Sequence, residues 1–184
     1  MKTCVILLRG VTPTGRNRVP MADLRVALTD AGLVDVRTYI QSGNVIARSH
    51  LGPARIGSLV HEVIEQRIGA DITVITRTPE QLLDVLARNP FTAADSSKLY
   101  FSLLSSPPAP ELLRGLAGTD FAPDRVKVMG STIYSLYATK LSDSRFTNNF
   151  FERKLKVAAT TRNFNTMSRL VELTLMASIN RPAA

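Results

Sequence analysis

Short continuous apolar runs alternate along this chain with segments whose apolar residues recur every three or four positions. The run Cys4-Val5-Ile6-Leu7-Leu8 has the length of a buried strand and predicts one over residues 3–8. Residues 9–19 hold Gly10, Pro13 and Gly15 and predict a loop. Pro20 suits a first helical position, and Met21, Leu24, Leu28 and Ala31 follow at helical spacing up to Gly32. Val36, Thr38 and Ile40 alternate with Arg37, Tyr39 and Gln41, as in a half-buried strand. Ser42-Gly43-Asn44 then predicts a turn into a returning strand over residues 45–47. Ile56, Leu59, Val60, Val63 and Ile64 mark a second amphipathic helix that closes near Gly69, and residues 72–75 predict a fourth strand.

The second half repeats this theme. Thr78-Pro79-Glu80-Gln81 has capping-box spacing and opens a helix that Asn89-Pro90 stops. A strand over 99–104, a proline-rich loop over 105–110 and a short helix on Leu112, Leu113 and Leu116 come next. Val126 and Val128 lead through Met129-Gly130-Ser131 into a strand over 133–137, as a hairpin. Two helical stretches follow, over 149–156 and 163–177, and Arg181, Pro182, Ala183 and Ala184 are expected to fray.

The order strand, helix, strand, strand, helix, strand is that of the split βαβ unit. The fold class expected is α+β, with two ferredoxin-like units in tandem packed as one domain. The boundaries expected are an N-terminal unit over 1–78 and a C-terminal unit over 79–184 with extra C-terminal helices. Each half is small for independent stability.

Composition narrows the picture. A net charge of +8 and a pI near 10.1 favour anionic partners, either a small phosphate-bearing molecule or nucleic acid. The excess is spread rather than blocked, with +4 in residues 1–77 and +4 in 78–184. The longest apolar run stops at Arg9, well short of a signal segment or a membrane span, so a cytoplasmic protein with no membrane partner is expected. Cys4 is the one cysteine, which excludes an intrachain disulfide and places a small thiol inside a strand.

If the first strand runs up, the turn between the second and third strands lies at the same end as the first strand–helix loop. That brings together Arg9, Gly10, Arg16, Asn17 and Arg18 with Gln41, Ser42, Gly43 and Asn44. Guanidinium groups suit phosphate and carboxylate oxygens, glycines allow close backbone approach, and the first helix turns its free N–H groups to the same place. This is the leading candidate anion pocket, although the same residues also serve as ordinary turn formers. Arg162 and Asn163 form a second candidate, at the start of the last helix, where Thr161 or Asn163 also fits as a cap. Lys140, Arg145, Arg153, Lys154 and Lys156 make a basic run before it, which fits a phosphate backbone or a solvated face.

Other chemistries find less footing. RNA-binding sheets of this topology stack bases on aromatics, yet residues 3–8 and 44–48 hold none. Tyr100, Tyr134 and Tyr137 in the second half fit either base stacking or a face covered by protein. His50 and His61 have no ligand-spaced Cys, Asp or Glu, so no metal is expected. No phosphate-loop, dinucleotide or nucleophile-elbow motif occurs, and catalytic residues stay unassigned, as do cofactors.

Three stretches resemble the bacterial family called domain of unknown function 1697. They are Leu7-Leu8-Arg9-Gly10 with Gly15-Arg16-Asn17-Arg18-Val19-Pro20-Met21-Ala22-Asp23-Leu24-Arg25, then Val36-Arg37-Thr38-Tyr39-Ile40-Gln41-Ser42-Gly43-Asn44-Val45, then Thr161-Arg162-Asn163-Phe164-Asn165-Thr166 with Leu170 after it. Two departures stand out: Val11-Thr12-Pro13-Thr14-Gly15 replaces an Ile-Asn-Val-Gly-Gly type loop, and Phe164 stands where relatives often carry tryptophan. Pro13 removes one backbone donor from a loop that would otherwise cradle phosphate. The resemblance implies the duplicated ferredoxin-like fold and brings no settled activity. The expectation is therefore a protein that binds a nucleotide-like ligand or nucleic acid. Its rivals are an enzyme acting on a phosphorylated or carboxylated metabolite, and a protein-interaction module using the tyrosine-bearing sheet.

Overall fold

The computed structural model describes residues 1–179. The chain is a mixed α+β protein with two four-stranded antiparallel sheets and six α-helices among those residues. It divides into two compact units, Met1–Leu83 with the chain from Leu170 onward, and Asp84–Arg169. Both divisions fall inside helices. Arg181, Pro182, Ala183 and Ala184, expected to fray, lie outside the described residues.

In the first unit the order is β1 (Lys2–Leu8), α1 (Met21–Asp30), β2 (Val34–Tyr39), β3 (Asn44–Ser49), α2 (Pro53–Ile68) and β4 (Val74–Arg77). The strands lie side by side as β2-β3-β1-β4. β1 and β3 are central, which is why Cys4 to Leu8 and Asn44 to Ala47 are buried without a break. Outer β2 keeps the in–out alternation of a strand with one wet face. The apolar stripes of α1 and α2, carried by Leu24, Leu28, Val60 and Ile64, close over Ile6, Leu8, Val45 and Ala47 to form one core. Pro53 opens α2 at its first helical position, and Gly69 ends it in the left-handed region at φ +79°, returning its N–H to Ile64 and Glu65.

α3 (Pro79–Ala87) follows, opened by a reciprocal cap in which Gln81 N–H donates to Thr78 Oγ1 and Thr78 N–H donates to Gln81 Oε1. The second unit then runs β5 (Leu99–Leu104), α4 (Pro110–Ala117), β6 (Arg125–Met129), β7 (Thr132–Leu136), α5 (Asn148–Leu155) and β8 (Ala159–Asn163). Its strands lie as β6-β7-β5-β8, and α6 (Phe164–Ile179) follows. Its core gathers Leu104, Ile133, Tyr137, Phe146, Phe151 and Leu155.

β8 is a strand where the sequence predicts only two successive helical stretches, the second from residue 163. The strand ends at Asn163 and the helix begins at Phe164. Ala159-Thr160-Thr161-Arg162-Asn163 lacks an apolar alternation, and its strand form comes from pairing with β5 along its length.

With β8 in place, the two sheets correspond pairing by pairing. Leu8 N–H donates to Gly43 O at 2.8 Å, and Leu104 N–H donates to Ser131 O at 2.9 Å. Arg9 N–H donates to Thr73 O at 2.9 Å, and Ser105 N–H donates to Ala158 O at 2.8 Å. Val5 sits opposite Arg77 as Phe101 sits opposite Arg162. Thr78, which caps α3, therefore matches Asn163, whose Oδ1 accepts from Thr166 N–H at 2.9 Å and caps α6. The two sheets thus correspond residue by residue in their hydrogen bonding, although the side chains differ.

Candidate functional site

At the Leu8 end of the first sheet three connections meet. The β1–α1 loop leaves β1 at Arg9. The β2–β3 turn is joined to it by the Leu8–Gly43 bond, and the α2–β4 connection by the Arg9–Thr73 bond. Gln41 Nε2 adds a bond to Val19 O at 3.0 Å, fastening the turn to the far end of the loop. The two segments expected to converge do meet.

Within this cluster the side chains divide into those that hold the fold and those that face outward. Asn44 is buried and its amide is spent locally, Nδ2 donating to Tyr39 O and Ser42 Oγ. Asn17 Nδ2 donates to Gly10 O at 3.2 Å and Thr12 N–H donates to Asn17 O, so the loop folds onto itself. Gly43, at φ +81°, has no room for a side chain: an added Cβ would lie 2.7 Å from Leu8 Cβ. Gln41, Asn17, Gly43 and Asn44 thereby shape the site. Arg16 and Arg18 are exposed and Arg9 is half-buried. The N-terminus of α1 has Pro20 as its cap residue and no side-chain cap, and Asp23 stands in its first turn.

A cavity of about 470 Å³ adjoins the loop, lined by Arg16 and Asn17 on one side and by Glu65, Gly69 and Asp71 on the other. The charge around it is mixed. Arg16 shares the cavity with Glu65, in the last turn of α2, and with Asp71, just beyond it, where the helix dipole is also negative. The sequence reading missed Glu65 and Asp71 here. Glu65 reads as one of several polar residues on a helix, and only the placement of Gly69 beside the loop brings it to the site.

Arg162 and Asn163 belong to the second unit. Arg162 is 8% exposed and donates from Nη1 to Thr160 Oγ1 and Thr161 O; burial pulls its guanidinium down to about 10, so it stays charged at neutral pH. Asn163 is committed to the α6 cap. Tyr134 and Tyr137 are core residues of that unit, whereas Tyr100 is half-buried and packs edge-on against Tyr137. Tyr134 and Tyr137 are 2% and 1% exposed, their hydroxyls donate to Val85 O and Phe146 O, and Phe101 is wholly buried. Tyr134 and Tyr137 therefore offer neither a stacking platform nor an interaction face. Among the described residues no group of three or more His, Cys, Asp or Glu could hold a metal ion, and no helix is long and apolar enough to cross a membrane.

The sequence matches a family of proteins of unknown function, DUF1697, over residues 1–134. The chain belongs to that family. The match takes in the whole of the loop cluster described above. A solved structure of a conserved bacterial protein from Streptococcus pneumoniae is similar to this DUF1697 chain, with a TM-score of 0.74 at 19% sequence identity, over 95% of this chain and 98% of the other. The likeness is one of fold. No curated protein matches the chain.

Proposed function

We propose that this DUF1697 protein is a cytoplasmic protein built of two tandem ferredoxin-like units, and that it binds a nucleotide-like, phosphate-bearing ligand at the Leu8 end of the first sheet. The sheet orders β2-β3-β1-β4 and β6-β7-β5-β8, each with a helix after its first and third strands, support the ferredoxin-like reading. One free cysteine and no possible intrachain disulfide support the location.

The observation that carries the function is the bond pair Leu8–Gly43 and Gln41–Val19, which fastens a loop bearing Arg9, Arg16 and Arg18 against a fixed turn. A loop held in this way presents guanidinium groups with little ordering cost on binding. The matching connection in the second unit, between β5 and α4, is short and holds Pro107 and Pro108 with no arginine. The same scaffold therefore carries the basic loop once, where a role in binding accounts for it better than the fold does.

Glu65 and Asp71 decide between a small ligand and a polyanion. Two carboxylates beside Arg16 repel a continuous phosphate backbone, whereas they accept hydrogen bonds from sugar hydroxyls or an amine. A mononucleotide, with phosphates toward the guanidinium groups and sugar toward the carboxylates, satisfies both.

The test is calorimetry with a panel of nucleoside di- and triphosphates and a random single-stranded oligonucleotide. A nucleotide should bind to the native chain and lose at least tenfold in affinity in R16A and R18A, with Tm shifted by less than about 2 °C. Glu65→Gln with Asp71→Asn should weaken the nucleotide and strengthen the oligonucleotide. Absence of nucleotide binding, or a large Tm loss in the arginine variants, overturns the proposal.

A further inference from the structure

The second unit exposes a different surface. β6 is the outer strand of its sheet and pairs with β7 alone, so alternate N–H and C=O groups along it point away from the sheet. Beside that edge runs a largely apolar groove of about 280 Å³ between α4 and β6, lined by Leu113, Leu116, Phe121, Val126, Lys127 and Val128. Leu113, Phe121, Val126 and Val128 are only partly covered, although they extend the unit's core. The opposite set of β6 side chains, Arg125 and Lys127, is exposed, as is Arg114 in the last turn of α4. Arg125 lies 4.9 Å over the Phe91 ring. Arg114 and Lys127 make no ion pair among the described residues.

An open strand edge with an apolar trough next to it is the arrangement that accepts an extended peptide as an added strand: main-chain bonds supply affinity, and alternate side chains enter the groove. Charge chooses the occupant. A second copy paired β6 to β6 would set Arg125 and Lys127 against the same residues, and like charges across a strand pair are unfavourable. Lysine on an edge blocks such self-association. A strand carrying Asp or Glu at those positions gains opposite charges at each, and its other residues can be apolar.

We infer that the β6 edge and the α4–β6 groove dock an extended segment of a partner protein in which acidic residues alternate with apolar ones. The added strand completes the sheet beyond β6, with its apolar side chains over Val126, Val128 and Phe121 and its carboxylates beside Lys127 and Arg125. This surface lies in the second unit and does not depend on the loop cluster of the first.

The test uses the full chain and labelled peptides followed by fluorescence anisotropy, with a Val-Glu alternating segment flanked by Gly-Ser and a Val-Lys segment of equal length. The acidic peptide should bind at least tenfold more tightly than the basic one. Lys127→Glu, at an exposed position, should reverse that order, and Arg114→Glu should weaken acidic binding without altering Tm. N-methylation of alternate peptide residues should abolish binding in one register and spare it in the other, as strand pairing requires. Equal binding of both peptides, an unchanged preference in K127E, or indifference to N-methylation in either register overturns the inference. So does light scattering that shows a native dimer dissolved by K127E, since the occupant would then be a second copy.

Discussion

The N–H of Leu8 reaches the carbonyl of Gly43 at 2.8 Å, and a Cβ on Gly43 would stand 2.7 Å from the Cβ of Leu8. The contact that joins the two loops therefore needs a residue with no side chain. Gly43 is also in the left-handed region, so substitution incurs two separate costs. Gly43→Ala should lose roughly 2–4 kcal/mol, the sum of left-handed strain and overpacking against backbone-anchored atoms. Gly10→Ala makes the control: its φ is +73°, but its nearest neighbour is Asn17 Nδ2 at 3.7 Å, an ordinary contact distance. It should lose only about 1–2 kcal/mol, the strain alone. Urea unfolding of the two variants separates the contributions.

Asn44 tests whether the turn is held from inside. Its buried amide donates to Tyr39 O and Ser42 Oγ, so Asn44→Ala removes both bonds from the turn and should cost about 1–3 kcal/mol. Asn44→Asp should cost no less, because a carboxylate replaces the donor with an acceptor facing a carbonyl. Ligand affinity at temperatures where the variants remain folded should change much less than in the arginine variants. A variant of normal stability with lost binding would make Asn44 a ligand contact instead.

The first unit was almost wholly legible because its elements announce themselves: a central apolar run at β1, stripes at helical spacing in α1 and α2, and a Ser-Gly-Asn turn. β8 was not, since Thr160, Thr161 and Arg162 carry no period, and their burial is imposed by the neighbouring β5. Arg162 looked like a ligand residue for the same reason. A charge in the sequence does not tell whether its hydrogen bonds are already met by Thr160 and Thr161. In the candidate site, the meeting of the two loops followed from topology alone. Which amides turn inward, and that Glu65 and Asp71 stand beside Arg16, depends on side-chain packing that no spacing rule encodes.

Tyr137 anchors the second core through its hydroxyl. The hydroxyl donates to Phe146 O at 2.8 Å inside a cluster of aromatic rings, where Phe121 and Phe150 pack against Phe146. Tyr137→Phe keeps the ring and removes the donor, leaving Phe146 O unmet, and should cost about 1–2 kcal/mol. Tyr134→Phe should cost a similar amount through Val85 O. A double variant should be additive within about 0.5 kcal/mol, since the two hydroxyls bond different carbonyls. Denaturant titration of the single and double variants gives the three numbers.

Alkaline pH should destabilise the fold through two buried acids. Burial raises the Cys4 thiol from 9.0 to about 11 and the Tyr137 phenol from 10.0 to about 12. In each case the native state keeps a proton that the unfolded chain has already lost. Between the unfolded and folded values the unfolded chain binds fewer protons, so stability falls as pH rises. The contribution is fully present below pH 9.0, is lost for Cys4 by about 11, and is lost for Tyr137 by about 12. Each amounts to on the order of 3 kcal/mol. Cys4→Ala should flatten the curve between pH 9.0 and 10.0, leave only the Tyr137 slope from there to about 11, and not alter it above that. The same burial predicts that Cys4, 3% exposed, resists a disulfide-exchange reagent at pH 8 in the native chain and reacts at once in guanidinium chloride. Rapid reaction of the native thiol would mean that β1 opens at a cost far below global unfolding, and the alkaline slope assigned to Cys4 would then vanish with it.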